Sequence, residues 1–296
     1  MEYLIIMDVS GDIDAKVAEE NDIKFVPMEY SLGEEMRVSK GIEPADIMKT
    51  FYDGQRNGDL TKTSQISPYM YEQYMEPYFE QGYSVLYLCL SSGLSSTFQS
   101  ACMAREALKE RYPEQDFYPV DSLAATGGMG VLLARAIRNR AAGMSIKENY
   151  EDIVASTKKI HLWFLVQDLM YLKRGGRVSA TTAVLGSALN VKPILKVDEQ
   201  GKLVTIAKKR GNKAAAAEVY ACFKEYYDEN SGDVIYVVDA DDAELGDILK
   251  DKILADYPNA TVRRCTLSPI IGAHTGPGMA AICNMGTHNN TVYKGR

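Results

Sequence analysis

The reading of the fold turns on residues 87–113, YLCLSSGLSSTFQSACMAREALKERYP, where an apolar run empties into a turn of four serines and a glycine. Upstream, residues 83–90 are nearly continuous in apolar side chains, the pattern of a strand buried on both faces. Downstream, Ser96 and Gln99 stand three apart in the form of a capping box, which predicts that a helix begins at the turn. Strand, polar turn and helix in succession are the unit of an α/β fold. In such folds ligands bind beyond the C-terminal ends of the strands, and the free amides of a helix start attract anions. The serines therefore admit two readings: they cap the helix, or they hold a carboxylate or phosphate.

Working outward, the same alternation continues. Residues 3–7 read as a buried strand followed by Asp8, and residues 24–30 as a second strand. Residues 43–57 look helical, and Ser67-Pro68 forms an N-cap and first-turn pair. Residues 117–120 suggest another strand, ended by Asp121-Ser122, and residues 124–139 a buried, Gly-rich helix. This pattern predicts an N-terminal α/β domain with a largely parallel sheet, residues 1–155. Beyond it, residues 160–166 read as a strand and 167–171 as a short helix leading into Lys173-Arg174-Gly175-Gly176-Arg177. Residues 191–197 and 203–207 flank a turn at 198–201 and form a hairpin. Helices at 213–227 and 244–257 and strands at 233–238, 262–267 and 279–285 complete a mixed or antiparallel α/β domain, residues 156–296. A ligand between the two domains is the expected arrangement.

Composition narrows the function classes. The chain has 296 residues, 46% hydrophobic and 25% charged, with a formal charge of −7. That charge argues against nonspecific nucleic-acid binding. The five cysteines are odd in number and form no CxxC pair, which disfavours structural zinc and a disulfide framework and fits a reducing cytoplasm. The N-terminus reaches acidic residues too soon for a signal peptide, and no apolar run approaches the roughly 20 residues of a membrane span.

Three polar loops are candidates for function: Thr63-Ser64-Gln65, the run from Ser91 to Thr97, and Asp121-Ser122. Of the three histidines, His161 opens an apolar strand and reads as structural, while His288 reads as a solvated surface residue. His274 lies in IGAHTGPG, residues 271–278, whose glycines and proline predict a tight turn that other groups approach closely. It either donates to an anion or holds the backbone of the turn. A serine nucleophile lacks its usual context, because Gly93-Leu94-Ser95 is not a Gly-x-Ser-x-Gly elbow. No HExxH or cysteine cluster suggests a metal, and no glycine motif suggests a nucleotide. The basic 173–177 segment suits a phosphate, an internal carboxylate or an acidic partner.

Taken in order, Thr63-Ser64-Gln65, Ser92-Gly93-Leu94-Ser95 with Thr97 and Gln99-Ser100, Asp121-Ser122, Arg174-Gly175-Gly176-Arg177, Lys192-Pro193-Ile194 and His274-Thr275-Gly276-Pro277-Gly278 resemble the DegV family. The resemblance spans nearly the whole chain. It implies a two-domain α/β protein that binds a fatty acid between its domains. Some members present that fatty acid to a separate ATP-dependent kinase, which converts the carboxylate to an acyl phosphate for phospholipid synthesis. Carried onto this chain, the resemblance assigns the carboxylate to Thr63, Ser95 and His274, assisted by the amides around Ser96. It places Arg174 and Arg177 on the kinase-facing surface or beneath the ligand loops. The chain departs from the family pattern at Ser96, where glycine is expected, at Ile66, where proline is expected, and at Asp8-Val9-Ser10, in place of Asp-Ser.

Such a carrier has no catalytic residues, cofactor or metal of its own, and allows a transient membrane contact. Burying about 16 methylenes is worth roughly 12 kcal/mol before binding costs, so the apolar term dominates affinity and the clamp orients the ligand. Met129, Leu132 and Leu133 are candidate wall residues. The rival reading is a serine-dependent lipid or ester hydrolase, with Ser95 and His274 about 2.6–3.2 Å apart and Asp8 or Asp121 orienting the histidine. A third is a structural or regulatory module whose lipid is incidental.

Overall fold

The computed structural model describes residues 3–178 and 190–290. A four-stranded parallel sheet organises the N-terminal domain, in the order β2 (Lys24–Val26), β1 (Tyr3–Asp8), β6 (Ser84–Cys89), β7 (Phe117–Asp121). Ile5, Ile6 and Met7 of β1 and Val85 to Cys89 of β6 are fully buried, which explains the unbroken apolar run. Around the sheet, α3 (Pro68–Glu80) packs on α4 (Thr97–Arg111) and α5 (Gly127–Ala141) on α6 (Ile146–Thr157). Chain order reverses between β1 and β6. The loops after these two strands therefore flank the crevice where open parallel sheets bind ligands.

The C-terminal domain is built on a mixed six-stranded sheet. Its order is β10 (Leu203–Arg210), β9 (Val191–Val197), β8 (Ile160–Leu165), β13 (Ala280–Met285), β11 (Ile235–Asp239), β12 (Val262–Thr266). All neighbours run antiparallel except β11 and β12. Helices α8 (Asn212–Tyr226) and α9 (Ala243–Asp256) cover it on the side away from the N-terminal domain's α5, which contacts β8, β11 and β13 as well as β6. The glycines of α5 permit that double contact. A Cβ on Gly127 would lie 2.7 Å from Tyr236 Cβ and 2.8 Å from Val238 Cγ2.

Four expectations are corrected. Residues 24–30 are two strands in different sheets, because Pro27 between them has no N–H for a ladder. The second, β3 (Met28–Leu32), joins β4 (Glu35–Ser39) and β5 (Thr61–Thr63) in a small antiparallel sheet absent from the sequence reading. His274 itself stands in a helix, α10 (Pro269–Thr275), started by Ser268-Pro269 just as Ser67-Pro68 starts α3, and the expected tight turn follows it at residues 276–278, where Gly276 and Gly278 have φ of 73° and 76°. Finally, the Ser96–Gln99 capping box does not form. Ser96 is the N-cap of α4 without a side-chain bond, and Ser95 Oγ instead accepts from Thr97 N–H at 3.3 Å. A true capping box sits at Ser145 and Glu148, at the head of α6, a helix that was not foreseen.

The small sheet carries α2 (Ala45–Arg56), with Phe51 edge-on to Tyr30 at 5.6 Å. Although inserted in the N-terminal half, it grips α10 of the other domain. Tyr52 hydroxyl donates to Leu267 O at 2.7 Å, Gln55 Nε2 to Gly272 O at 3.0 Å, and Thr61 Oγ1 to Ala273 O at 2.9 Å. That grip sets β5, and hence Thr63, beside the end of α10.

Candidate ligand-binding site

A cavity of about 450 Å³ opens between the two large sheets, within the roughly 300–1,000 Å³ of small-molecule sites. Its body is apolar: Leu162 and Phe164 of β8, Val197 and Leu203 of the β9–β10 hairpin, and Ile270 and Ile271 of α10. Met129, Leu132 and Leu133 are not in this wall. They are fully buried in the core on α5, and Ala125 and Thr126 just ahead of that helix reach the cavity instead.

The other end of the cavity is polar, lined by Thr63, Ser92, Ser95, Ser96, Arg177 and His274. The loop after β6 is immobilised from several directions. Leu90 N–H donates to the buried carboxylate of Asp8 at 2.8 Å, and Ser92 N–H to Asp121 Oδ1 at 3.0 Å. Ser91 Oγ donates across the domain gap to Gly201 O at 2.8 Å, and Arg177 Nε to Leu94 O at 3.1 Å. So restrained, the loop presents Ser95 Oγ, 2.7 Å from Thr97 Oγ1, together with the N-terminal amides of the 15-residue α4.

Thr63 Oγ1 lies 2.8 Å from His274 Nε2, although 211 residues separate them in the chain. Among the described residues the buried His274 Nδ1 has no hydrogen-bond partner, and it faces Gly175, where a Cβ would lie 2.2 Å away. A proton on that nitrogen would be buried and unpaired, so the proton belongs on Nε2, which donates to Thr63 Oγ1. The threonine hydroxyl hydrogen is thereby left free to point into the cavity. Burial, reinforced by the charge of Arg177, pushes the His274 imidazole down to about 4, so it is neutral at physiological pH.

The structure separates the arginines of the 173–177 segment. Arg174 is exposed and lies over the Tyr171 ring, 5.4 Å from its centroid. Arg177 lines the cavity and is half-buried. Among the described residues its hydrogen-bond acceptors are the carbonyls of Leu94 and Gly175, neither of them charged. Burial lowers its pKa. The polar end thus combines hydroxyl donors, a helix start and a guanidinium with no acidic partner among the described residues, an arrangement suited to one anion.

A nucleophile–base pair is not assembled. Among the described residues Ser95 and His274 share no hydrogen bond; Ser95 pairs with Thr97 and His274 with Thr63. Asp8 is bound to Ser10, Tyr87 and Leu90, and Asp121 to Ser92 and Leu123. Sequence reasoning found the hairpin turn at 198–201 but missed its contact with Ser91 and the grip of the small sheet on α10, since neither contact follows from a local pattern. The start of α10 was detectable from its Ser-Pro pair.

Fold and site together define a two-domain α/β binding protein with an apolar cavity closed at one end by anion donors. The chain belongs to the DegV family, a family of uncharacterised proteins whose model matches residues 2–286. It is 34% identical over 290 residues to a DegV domain-containing protein of Streptococcus pyogenes, covering 98% of this chain and 100% of the relative. Among solved structures, a DegV lipid binding protein of Thermotoga maritima superposes with a TM-score of 0.83 at 26% identity, covering 98% of this chain and 100% of that one. DegV of Bacillus subtilis, a fatty acid binding protein, gives 0.81 at 27% identity, covering 96% and 98%.

Proposed function

We propose that this protein binds a long-chain fatty acid in the interdomain cavity and presents it to a separate ATP-dependent fatty acid kinase for acyl phosphate formation. The observation that carries the binding reading is the half-buried Arg177, a charge without an acidic partner among the described residues, at the polar end of an otherwise apolar cavity. A carboxylate placed there supplies the missing charge and accepts from Thr63 and Ser95, while the Ser96 end of α4 contributes its amides. His274 acts one step back, by keeping the Thr63 hydroxyl oriented as a donor. The fatty-acid-binding B. subtilis relative supports the same ligand class.

The kinase step rests on the family resemblance and on chemistry. Phosphorylation of the carboxylate needs a nucleotide and a metal, which a partner brings to the polar end while the acyl tail stays buried. Arg174, exposed close to that end, is the residue assigned to the partner. Acyl chains are collected in the cytoplasm by transient membrane contact.

Native mass spectrometry of the purified protein, followed by denaturing extraction, tests the ligand. A stoichiometric fatty acid is expected; an empty protein that also refuses added fatty acids overturns the reading. For the partner step, Arg174→Ala is expected to slow kinase-dependent acyl phosphate formation about tenfold or more, the scale of losing one charge-assisted contact, with lipid binding unchanged. Equal loss of lipid binding in a folded variant would move Arg174 into the ligand network.

A further inference from the structure

Asp12 is a buried carboxylate at the junction of the two domains, in the loop between β1 and the short α1 (Ala15–Glu20). Its Oδ2 accepts from Thr126 Oγ1 of its own domain. Its Oδ1 accepts from Ser268 N–H of the other domain at 2.8 Å. Ser268 is the N-cap of α10 and also donates through Oγ to Val9 O at 3.1 Å. The 9–12 loop therefore holds the start of the helix whose Ile270, Ile271 and His274 line the cavity. Thr126 lines it too, in a left-handed conformation (φ 48°) that a β-branched residue seldom adopts, so its hydroxyl contact with Asp12 steadies a strained position.

Among the described residues no cation is paired with this carboxylate. The titratable groups around it are Tyr52 of α2, Cys265 of β12 and Cys283 of β13, all buried and all pushed up by burial, hence neutral at physiological pH. Burial likewise pushes Asp12 up to about 7, against the hydrogen bonds of Thr126 and Ser268. Much of that cover is the C-terminal domain: Ser268, Cys265 and Cys283. Separation of the domains returns Asp12 to water and to the ordinary carboxylate range, about 3.9.

We propose that Asp12 is a proton-operated latch across the domain interface, which holds α10 against the 9–12 loop when protonated and favours its release when ionised. The hydrogen bonds survive protonation, since Oδ2–H can donate to Thr126 Oγ1 while Oδ1 still accepts from Ser268. What changes is the cost of leaving a bare charge under the interface. Closure takes up a proton between about pH 4 and pH 7, so the closed state is favoured at the acidic end and loses that advantage as pH rises through 7.

The test is amide hydrogen exchange in α10 of the delipidated protein, corrected for the intrinsic pH dependence of exchange. Protection is expected to fall on the order of tenfold between pH 5.5 and pH 8. Asp12→Asn, whose amide can donate to Thr126 and accept from Ser268, is expected to be protected at both pH values. The same pH slope in that variant overturns the latch. Should Asp12→Asn fail to fold, carboxyl ¹³C titration of the wild-type chain decides, because an Asp12 that titrates in the ordinary range removes the basis for a latch. Neither readout involves lipid, so the latch and the fatty-acid reading stand or fall separately.

Discussion

Gly93→Ala is expected to release bound fatty acid about tenfold or more faster than the wild-type chain. A Cβ on residue 93 would stand 2.5 Å from the Gln200 carbonyl oxygen and 2.6 Å from the carbonyl carbon and oxygen of Gly201. These are backbone atoms of the β9–β10 turn and cannot rotate aside as a side-chain tip would. Either the turn or the serine loop must move. The turn is tied to that loop by Ser91 Oγ, and Val197 and Leu203, on either side of it, form part of the cavity wall. A displaced turn therefore opens the wall. Overpacking of this kind costs about 1–3 kcal/mol, and each 1.4 kcal/mol is tenfold in an equilibrium. Displacement of a fluorescent fatty acid, followed by stopped flow, reads the rate. Wild-type release from the folded variant would show that the turn does not close the site.

The second large effect comes from removing the hydroxyl donors together. A hydrogen bond to a charged group contributes about 1.5–3 kcal/mol, so Ser95→Ala and Thr63→Val are each expected to weaken fatty-acid binding by on the order of 10- to 100-fold. Thr63→Val also leaves the Nε2–H of His274 without its acceptor, which adds to the loss. The double variant should fall short of the product of the two, because both hydroxyls serve one carboxylate. A fatty alcohol of equal chain length is the informative control. Its affinity is expected to change little, and the preference for acid over alcohol to collapse. Equal weakening of acid and alcohol would mean that the substitutions damage the cavity rather than the clamp.

Much of the architecture was legible because it is local. β1 and β6 are covered on both faces, and such strands write themselves as unbroken apolar runs. The β9–β10 hairpin and the helices over the C-terminal sheet carried ordinary turn and periodicity signals. The small sheet was missed because β4 is only five residues long, and its alternating Met36 and Val38 are exposed rather than set against a core. The turn read around His274 begins just after it, at residues 276–278, while buried packing against Tyr52 and Phe51 keeps Gly272 inside α10.

By itself, the sequence determined the two α/β units, the polar turn after β6 and the candidates Thr63, Ser95, Ser96, His274, Arg174 and Arg177. The units and the turn depend on residue type and near neighbours, through burial periodicity, capping and turn chemistry, whereas the six candidates lie in polar loops and a basic segment from which the resemblance to the DegV family singles them out. Only the tertiary structure decided that Thr63 meets His274, that Arg177 turns inward while Arg174 faces out, and that Asp12 lies beneath Ser268. Those facts depend on how the small sheet and the β9–β10 hairpin cross from one domain to the other. Contacts across one or two hundred residues are set by the packing of whole elements, and no local pattern of side chains records them.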